Sequence, residues 1–84
     1  MKQLTLYYTP SCPYCGKVLR FMEENRIEIP LKNTYDEKFR QELIKIGGQS
    51  QVPCLVIDGQ ALYESDDIIQ WLGEHFSGGK QVKS

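Results

Sequence analysis

Alternation of apolar and polar residues predicts four short strands along the 84-residue chain. Apolar side chains occupy every second position near the N-terminus and again around residues 27–31, where Pro30 favours a sheet-edge position. A continuous apolar run then predicts a central strand, and Asp58-Gly59 predicts a tight hairpin to an antiparallel partner. The predicted strands span residues 3–8, 27–32, 54–57 and 60–63.

Helical spacing of apolar residues predicts three helices between and after these strands. The first spans residues 13–25, with Cys12 at the cap and Pro13 at the first helical position, which suits proline. The second spans 37–46 and the third begins after a Ser65 cap. The predicted buried stripes are Val18, Leu19, Phe21 and Met22; Phe39, Leu43 and Ile46; and Ile68, Ile69, Leu72 and Phe76.

The order of these elements, β-α-β-α-β-β-α, predicts an α/β fold. The first βαβ unit implies parallel strands joined by a right-handed crossover, and the hairpin adds antiparallel strands. The expected result is one four-stranded mixed sheet with three helices. The length suits one domain over residues 1–77, with a polar and flexible tail over 78–84.

Composition and charge exclude several function classes. Ten basic against eleven acidic residues leave no basic footprint for nucleic acid. No apolar run approaches a membrane span and no secretory signal is visible, so a cytoplasmic protein is expected. Nothing in the sequence demands a dimer, so a monomer is expected. A single C-x-x-C pair and one distant histidine do not supply a structural zinc site, so no metal is expected.

The sequence Cys12-Pro13-Tyr14-Cys15, directly after the first strand, resembles the active-site motif of dithiol glutaredoxins in the thioredoxin-fold superfamily. Val52-Pro53 before the third strand and Ser65-Asp66-Asp67 at the last helix match the same pattern, which covers about residues 2–77. The resemblance implies a glutathione-dependent thiol-disulfide oxidoreductase. Such an enzyme reduces protein disulfides and protein–glutathione mixed disulfides, with glutathione as its reductant and co-substrate.

The motif suits this chemistry because a thiolate is the nucleophile in disulfide exchange. Cys12 faces the unpaired N–H groups and positive dipole end of the first helix, both of which favour the anion, and Lys17 lies one turn on. Cys15 is placed to form a disulfide with Cys12 and is expected to be less exposed. Cys12 is therefore predicted to attack and Cys15 to resolve. Two reduced packing cysteines are the alternative.

The resemblance also implies glutathione contacts. Pro53 is expected in a cis peptide bond, with the Val52 backbone pairing the cysteinyl part of glutathione. The helix start at Ser65 and Asp66 is expected to hold the γ-glutamyl end. Arg40 is the candidate for the glycyl carboxylate. Tyr14 is expected to line the groove. The ordinary alternatives are a turn proline, a capping serine and a solvated arginine.

Three positions depart from the glutaredoxin pattern. Thr9 stands where many members carry lysine, Gln51 replaces a threonine, and Tyr63-Glu64 replaces a glycine pair. Glu64-Ser65 is more similar to the glutathione-binding turn of glutathione transferase N-terminal domains. Two alternatives therefore stay open: a redoxin reduced by a thioredoxin-reductase-type flavoenzyme, or a non-catalytic glutathione or iron–sulfur binding module.

The third cysteine, Cys54, follows Pro53 directly. As a buried strand residue it is expected to act as a small hydrophobe. The alternative is a thiol that engages Cys12 or becomes glutathionylated.

Overall fold

The computed structural model describes residues 3–76, which contain four strands and three helices in the predicted order. Their bounds are β1 Leu4–Tyr8, α1 Pro13–Glu24, β2 Leu31–Asn33, α2 Glu37–Gly47, β3 Cys54–Ile57, β4 Gln60–Leu62 and α3 Ser65–Phe76. The sheet order is β2-β1-β3-β4, with β1 parallel to β2 and the other pairs antiparallel. The predicted α/β fold with a four-stranded mixed sheet is confirmed. No helix within residues 3–76 has the length and apolarity to cross a membrane.

The sheet separates two apolar clusters because successive side chains of a strand point to opposite faces. On β1, Leu6 joins one cluster and Tyr7 the other. The larger cluster, on the α1 and α3 face, consists of Leu6, Val18, Met22, Ile27, Leu55, Ile68 and Leu72. The smaller cluster, on the α2 face, consists of Tyr7, Leu43, Cys54 and Val56. The helices α1 and α3 therefore share one side of the sheet, and α2 covers the other.

The ends of α2 follow the sequence signals. The Asp36 carboxylate accepts a hydrogen bond from the Lys38 N–H at 3.0 Å, as a cap should. Gly48 ends the helix in the left-handed region at φ 83°, a conformation that glycine adopts without a steric cost. Gly47 packs against the Tyr63 hydroxyl, so a side chain at Gly47 would collide with it.

The second strand starts later than predicted. The sequence predicts residues 27–32, whereas β2 spans only Leu31–Asn33. The preceding segment connects α1 to the sheet: Ile27 is buried in the larger cluster, and the Pro30 carbonyl accepts the Leu6 N–H at 2.9 Å. Pro30 has no N–H to donate, so regular pairing begins after it.

Several burial predictions at the ends of elements are wrong. Phe76 and Ile46, predicted on buried faces, are 38% and 39% exposed because they lie at helix C-termini. Ser65 is the first residue of α3 and not its cap, since the Glu64 carbonyl accepts the helical N–H of Ile68 at 3.0 Å. The predicted tail, 78–84, lies outside the described residues, and the domain boundary at residue 77 stays a prediction.

Candidate functional site

Cys12 lies at the cap position of α1 with an extended backbone and a partly exposed side chain. Its carbonyl accepts the Gly16 N–H at 3.1 Å. Its thiol makes no capping hydrogen bond to α1 and instead donates to the Val52 carbonyl across 4.0 Å. The first N–H groups of a helix lack intrahelical partners, and the Cys12 side chain lies beside them.

Cys15 has a contrasting environment. It is fully buried, and the Thr9 N–H donates to its sulfur at 3.4 Å. Burial raises the pKa of the Cys15 thiol to about 11, so this thiol is neutral at physiological pH. Both cysteines are free thiols in the structure. Because Cys12 alone of the two is accessible, it is the member able to meet a substrate first.

Next to Cys12 lies a cleft of about 350 Å³, formed where three segments meet. The segments are the first turns of α1, the loop before β3 and the turn between β4 and α3. The lining residues are Tyr14, Lys17, Gln51, Val52, Pro53, Glu64, Ser65 and Asp66. Five of the six residues that the sequence analysis assigns to glutathione thus lie at one cleft.

Within the loop before β3, the Val52-Pro53 peptide bond is cis, as the glutaredoxin resemblance implies. Pro53 is buried, while Val52 is partly exposed. The Val52 carbonyl faces the Cys12 thiol, so this thiol lies beside the cleft that Val52 lines.

The turn between β4 and α3 forms the opposite wall. Glu64 has φ 73°, a left-handed conformation that non-glycine residues adopt at a cost and that is concentrated at functional sites. This conformation starts α3 directly at the cleft, so the N-terminal turn of α3 borders it. Lys17 of α1 forms an ion pair with Asp66 across the cleft, with 51% and 82% of these side chains exposed. Lys17 thus pairs with a carboxylate and not with the Cys12 sulfur.

Comparisons with known proteins agree with this geometry. The family model described as glutathione S-transferase, N-terminal domain, matches residues 6–80. An uncharacterized glutaredoxin-like 8.6 kDa protein in the rubredoxin operon of Clostridium pasteurianum is 33% identical over 60 residues, covering 70% of this chain and 80% of its own. Glutaredoxin 1 of Rickettsia prowazekii is 31% identical over 68 residues, covering 77% and 72%. This chain is a glutaredoxin-like protein of the thioredoxin fold.

Solved structures of larger enzymes contain a part that is similar to this glutaredoxin-like chain. Glutathione transferase Omega 3C from Trametes versicolor superposes with a TM-score of 0.77 at 28% identity, over 88% of this chain and 32% of that chain. The chain thus spans about a third of the length of such transferases. The shared part is the thioredoxin-like fold.

Arg40, the sixth predicted glutathione residue, does not line the cleft of this glutaredoxin-like protein. It lies on α2, where its guanidinium holds both carboxylate oxygens of Glu37 at 3.1 and 2.7 Å. Thr9, which replaces the lysine common in glutaredoxins, bonds the Thr34 hydroxyl at 2.7 Å. Both side chains thus have partners within the fold.

Cys54 packs in the smaller cluster, on the face of the sheet away from α1. It is fully buried, and burial raises the pKa of its thiol to about 11. The structure therefore supports the small-hydrophobe interpretation. The alternative, a thiol that engages Cys12 or becomes glutathionylated, stays a prediction.

A second concave surface at Cys12 was not predicted from the sequence. An open groove of about 620 Å³ runs along α1 and touches α3. Its lining residues are Pro10, Ser11, Cys12, Pro13, Gly16, Lys17, Arg20, Phe21, Glu24 and Ile69. The available signal was Gly16, a poor helix former inside a predicted helix. No group of three or more His, Cys, Asp or Glu side chains within residues 3–76 is placed to hold a metal ion.

Proposed function

We propose that this glutaredoxin-like chain is a glutathione-dependent thiol-disulfide oxidoreductase. The observation that carries the proposal is the position of the Cys12 thiol, partly exposed at the start of α1 and facing the Val52 carbonyl at the cleft. A glutathione moiety in that cleft would present its sulfur to Cys12. The distant glutaredoxin relatives support the same activity.

With a protein–glutathione mixed disulfide, the Cys12 thiolate attacks the glutathione sulfur. A Cys12–glutathione disulfide forms, the original disulfide breaks, and the substrate leaves as a thiolate that takes a proton from water. A second glutathione thiolate then attacks the sulfur attached to Cys12. This step releases glutathione disulfide and restores the Cys12 thiolate, so glutathione is the reductant.

With a protein disulfide, Cys12 attacks one sulfur and the other leaves as a thiolate. Cys15 then loses its proton to solvent and attacks Cys12, which releases the second substrate thiolate and forms a Cys12–Cys15 disulfide. Two glutathione molecules reduce that disulfide and leave as glutathione disulfide. The high pKa of Cys15 keeps the resolving thiol protonated, and therefore weakly nucleophilic, between turnovers.

We assign the glutathione contacts to the cleft. The Val52 backbone pairs with the cysteinyl unit as an added strand would. The N–H groups of α3 at Ser65 donate hydrogen bonds to the γ-glutamyl carboxylate, and Asp66 accepts one from the γ-glutamyl amino group. Tyr14 covers the cysteinyl side. Arg40 would bind the glycyl carboxylate only by giving up Glu37.

The partners in this proposal are glutathione and disulfide-containing or glutathionylated proteins. We propose that residues 1–77 act as a monomer in a reducing compartment such as the cytoplasm. No metal, nucleic acid or membrane has a part in the proposed reaction.

The test is turnover of a glutathionylated peptide with glutathione, glutathione reductase and NADPH. The parent and Cys15→Ser are expected to be active and Cys12→Ser inactive. The Asp66→Asn variant is expected to raise KM for the glutathionylated substrate severalfold, while the exposed Asp67→Asn serves as its matched control on the same helical turn. An inactive parent would contradict the proposal.

A second candidate is a redoxin reduced by a thioredoxin-reductase-type flavoenzyme. The supporting observation is that two charged side chains assigned to glutathione already have partners: Asp66 pairs with Lys17 and Arg40 with Glu37. Reduction of the Cys12–Cys15 disulfide by that flavoenzyme, together with no reduction by glutathione, would favour this candidate.

A further inference from the structure

The groove along α1 lies at Cys12 but is lined by a largely different set of residues from the cleft. Of the cleft residues, only Lys17 also lines the groove. Disulfide exchange proceeds with the attacking, central and leaving sulfurs roughly in line. If glutathione carries the central sulfur in the cleft, the leaving polypeptide must extend to another side of Cys12. The groove is a second concave surface that begins at this cysteine.

Gly16 lines the groove without a side chain. It lies inside α1, where glycine is less favourable than alanine. A Cβ atom built at Gly16 meets no heavy atom within 4 Å, so packing within residues 3–76 does not require a glycine there. Its φ angle is not in the left-handed region either. A bare backbone beside a reactive cysteine permits the close approach of a second chain.

The remaining lining defines the chemistry of the occupant. Phe21 and Ile69 supply apolar surface on α1 and α3. Two cations line the groove: Lys17, which also pairs with Asp66, and Arg20, which lies about two helical turns from Cys12 and forms no ion pair within residues 3–76. Glu24 is the one carboxylate that lines the groove. Arg20, the groove cation without an ion-pair partner in the described residues, therefore favours a peptide that carries an acidic residue.

We propose that this groove binds the polypeptide side of the substrate disulfide, and that it selects chains with an apolar and an acidic residue close to the target cysteine. This inference rests on the proposed function and specifies its substrate class. Gly16 and Arg20 are then specificity-determining residues for the leaving chain.

The experiment compares two leaving groups on the same glutathione. One substrate is a glutathionylated peptide with leucine and aspartate beside its cysteine, and the other is the mixed disulfide of glutathione and 2-mercaptoethanol, which has no polypeptide. For Gly16→Leu, the loss of kcat/KM with the peptide is expected to exceed the loss with the small substrate by about tenfold, a difference of about 1.4 kcal/mol. Glu23→Leu, on an exposed position of α1 outside the groove, is the matched control for an added apolar side chain.

Two further variants probe space and charge separately. Gly16→Ala is expected to raise Tm and yet lower the peptide-to-small-substrate ratio, a combination that loss of folding cannot produce. Arg20→Glu is expected to reverse the preference between the aspartate peptide and a matched lysine peptide. Equal losses for both substrates in Gly16→Leu and Arg20→Glu would overturn the groove proposal while leaving the glutathione activity intact.

A glutathione-free arm keeps the two proposals separate. Reduced Cys15→Ser protein attacks the aspartate peptide whose cysteine carries a methylthio group, so that the unhindered methylthio sulfur is the central one and the peptide leaves as a thiol. Chromatography of the released peptide thiol gives the rate of attack by Cys12. If the parent fails with glutathione but Gly16→Leu still slows this attack relative to free cysteine carrying the same group, the groove proposal stands and the proposed function falls. If the attack on the peptide is equally fast whether position 16 holds glycine or leucine, the groove proposal is wrong.

Discussion

A cysteine is buried on each face of the sheet. The two cysteines differ in whether an accessible thiol lies close to them. Cys15 and Cys54 are both fully buried, and burial raises the pKa of each to about 11. Cys15 is one helical turn from the accessible Cys12, whereas Cys54 packs against Tyr7 and Leu43. Burial and a raised pKa therefore do not identify a redox thiol. The proposed redox role of Cys15 rests instead on the accessible Cys12 thiol one helical turn away, at the start of α1.

The faces also differ in how they use polar groups. On the α1 and α3 side, polar side chains gather at the helix starts and border the cleft. On the α2 side they form a network between strands and helix: Glu42 accepts the Tyr7 hydroxyl at 3.0 Å and the Lys32 ammonium at 2.8 Å. The first arrangement leaves a concave surface open beside Cys12. The second fastens α2 to β1 and the edge strand β2.

The largest difference in turnover is expected between replacing the accessible Cys12 and replacing the buried Cys54. Cys12→Ser is expected to lower turnover of a glutathionylated peptide by at least about a thousandfold, because a hydroxyl is not an effective nucleophile at neutral pH. Cys54→Ala is the control and should keep parent-like turnover. The measurement is steady-state kinetics at matched folded concentrations. A comparable loss in a folded Cys54→Ala protein would contradict the separation of the two faces.

Two leucines test the faces through packing. Leu72→Ala and Leu43→Ala each remove a fully buried side chain, so each should lower the free energy of unfolding by about 2–5 kcal/mol. Leu72 holds α3, whose first turn borders the cleft, whereas Leu43 holds α2. Urea denaturation measures the loss in free energy of unfolding, and KM for the glutathionylated peptide measures the effect on the cleft. Leu72→Ala is expected to raise KM more than Leu43→Ala. Equal increases in KM would contradict the proposed difference between the two faces.

Most of the fold was predictable because its signals are local. The alternating residues of β1, the apolar run Cys54–Ile57 and the hairpin at Asp58-Gly59 each specify their own element. Asp36 likewise caps α2 as predicted. The start of β2 was not predictable, because Ile27 and Ile29 have the spacing of a strand, and only the path from α1 shows that they lead into it.

The candidate site divides in the same way. The cysteine pair, the cis Val52-Pro53 bond and the turn at Ser65 follow from short motifs. The pairing of Lys17 with Asp66 joins residues 49 positions apart, and Arg40 had an exposed neighbour on its own helix. The ion-pair partner of a long side chain depends on which other side chains lie near it in the folded protein, and short sequence motifs do not specify this. The groove at Gly16 needed the packing of α1 beside α3.

The resolving step gives a sharper pH test of the two buried thiols. Only a thiolate attacks, so release of a Cys12-bound protein substrate by Cys15 should accelerate about tenfold per pH unit from pH 7 toward the Cys15 pKa. Single-turnover release of a peptide from Cys12 measures this rate, with Cys15→Ser as the control. Cys54 has the same pKa but no access, so mass spectrometry should find it unmodified by iodoacetamide in folded protein across that range. Early labelling of Cys54 would contradict its assignment to a closed cluster.

The smallest expected effect concerns the network on the α2 side. Tyr7→Phe removes a part-buried hydrogen bond and should lower the free energy of unfolding by about 0.5–1.5 kcal/mol. Turnover should stay at the parent level, because the Tyr7 hydroxyl faces away from Cys12. Glu42→Gln, which keeps an acceptor oxygen but removes the charge, is the matched variant for separating the hydrogen bond from the charge.

This stability difference should also depend on pH. The Lys32 ammonium, followed by the Tyr7 hydroxyl, holds the pKa of Glu42 below the usual carboxyl range. A lowered carboxyl pKa contributes stability above the ordinary pKa and loses it as pH falls through the lowered one. The gap between the parent and Tyr7→Phe should therefore be full at pH 7 and narrow below the ordinary carboxyl pKa. Urea midpoints measured at both ends of that range test it, and a gap that widens on acidification would show that Glu42 is not the acceptor that matters.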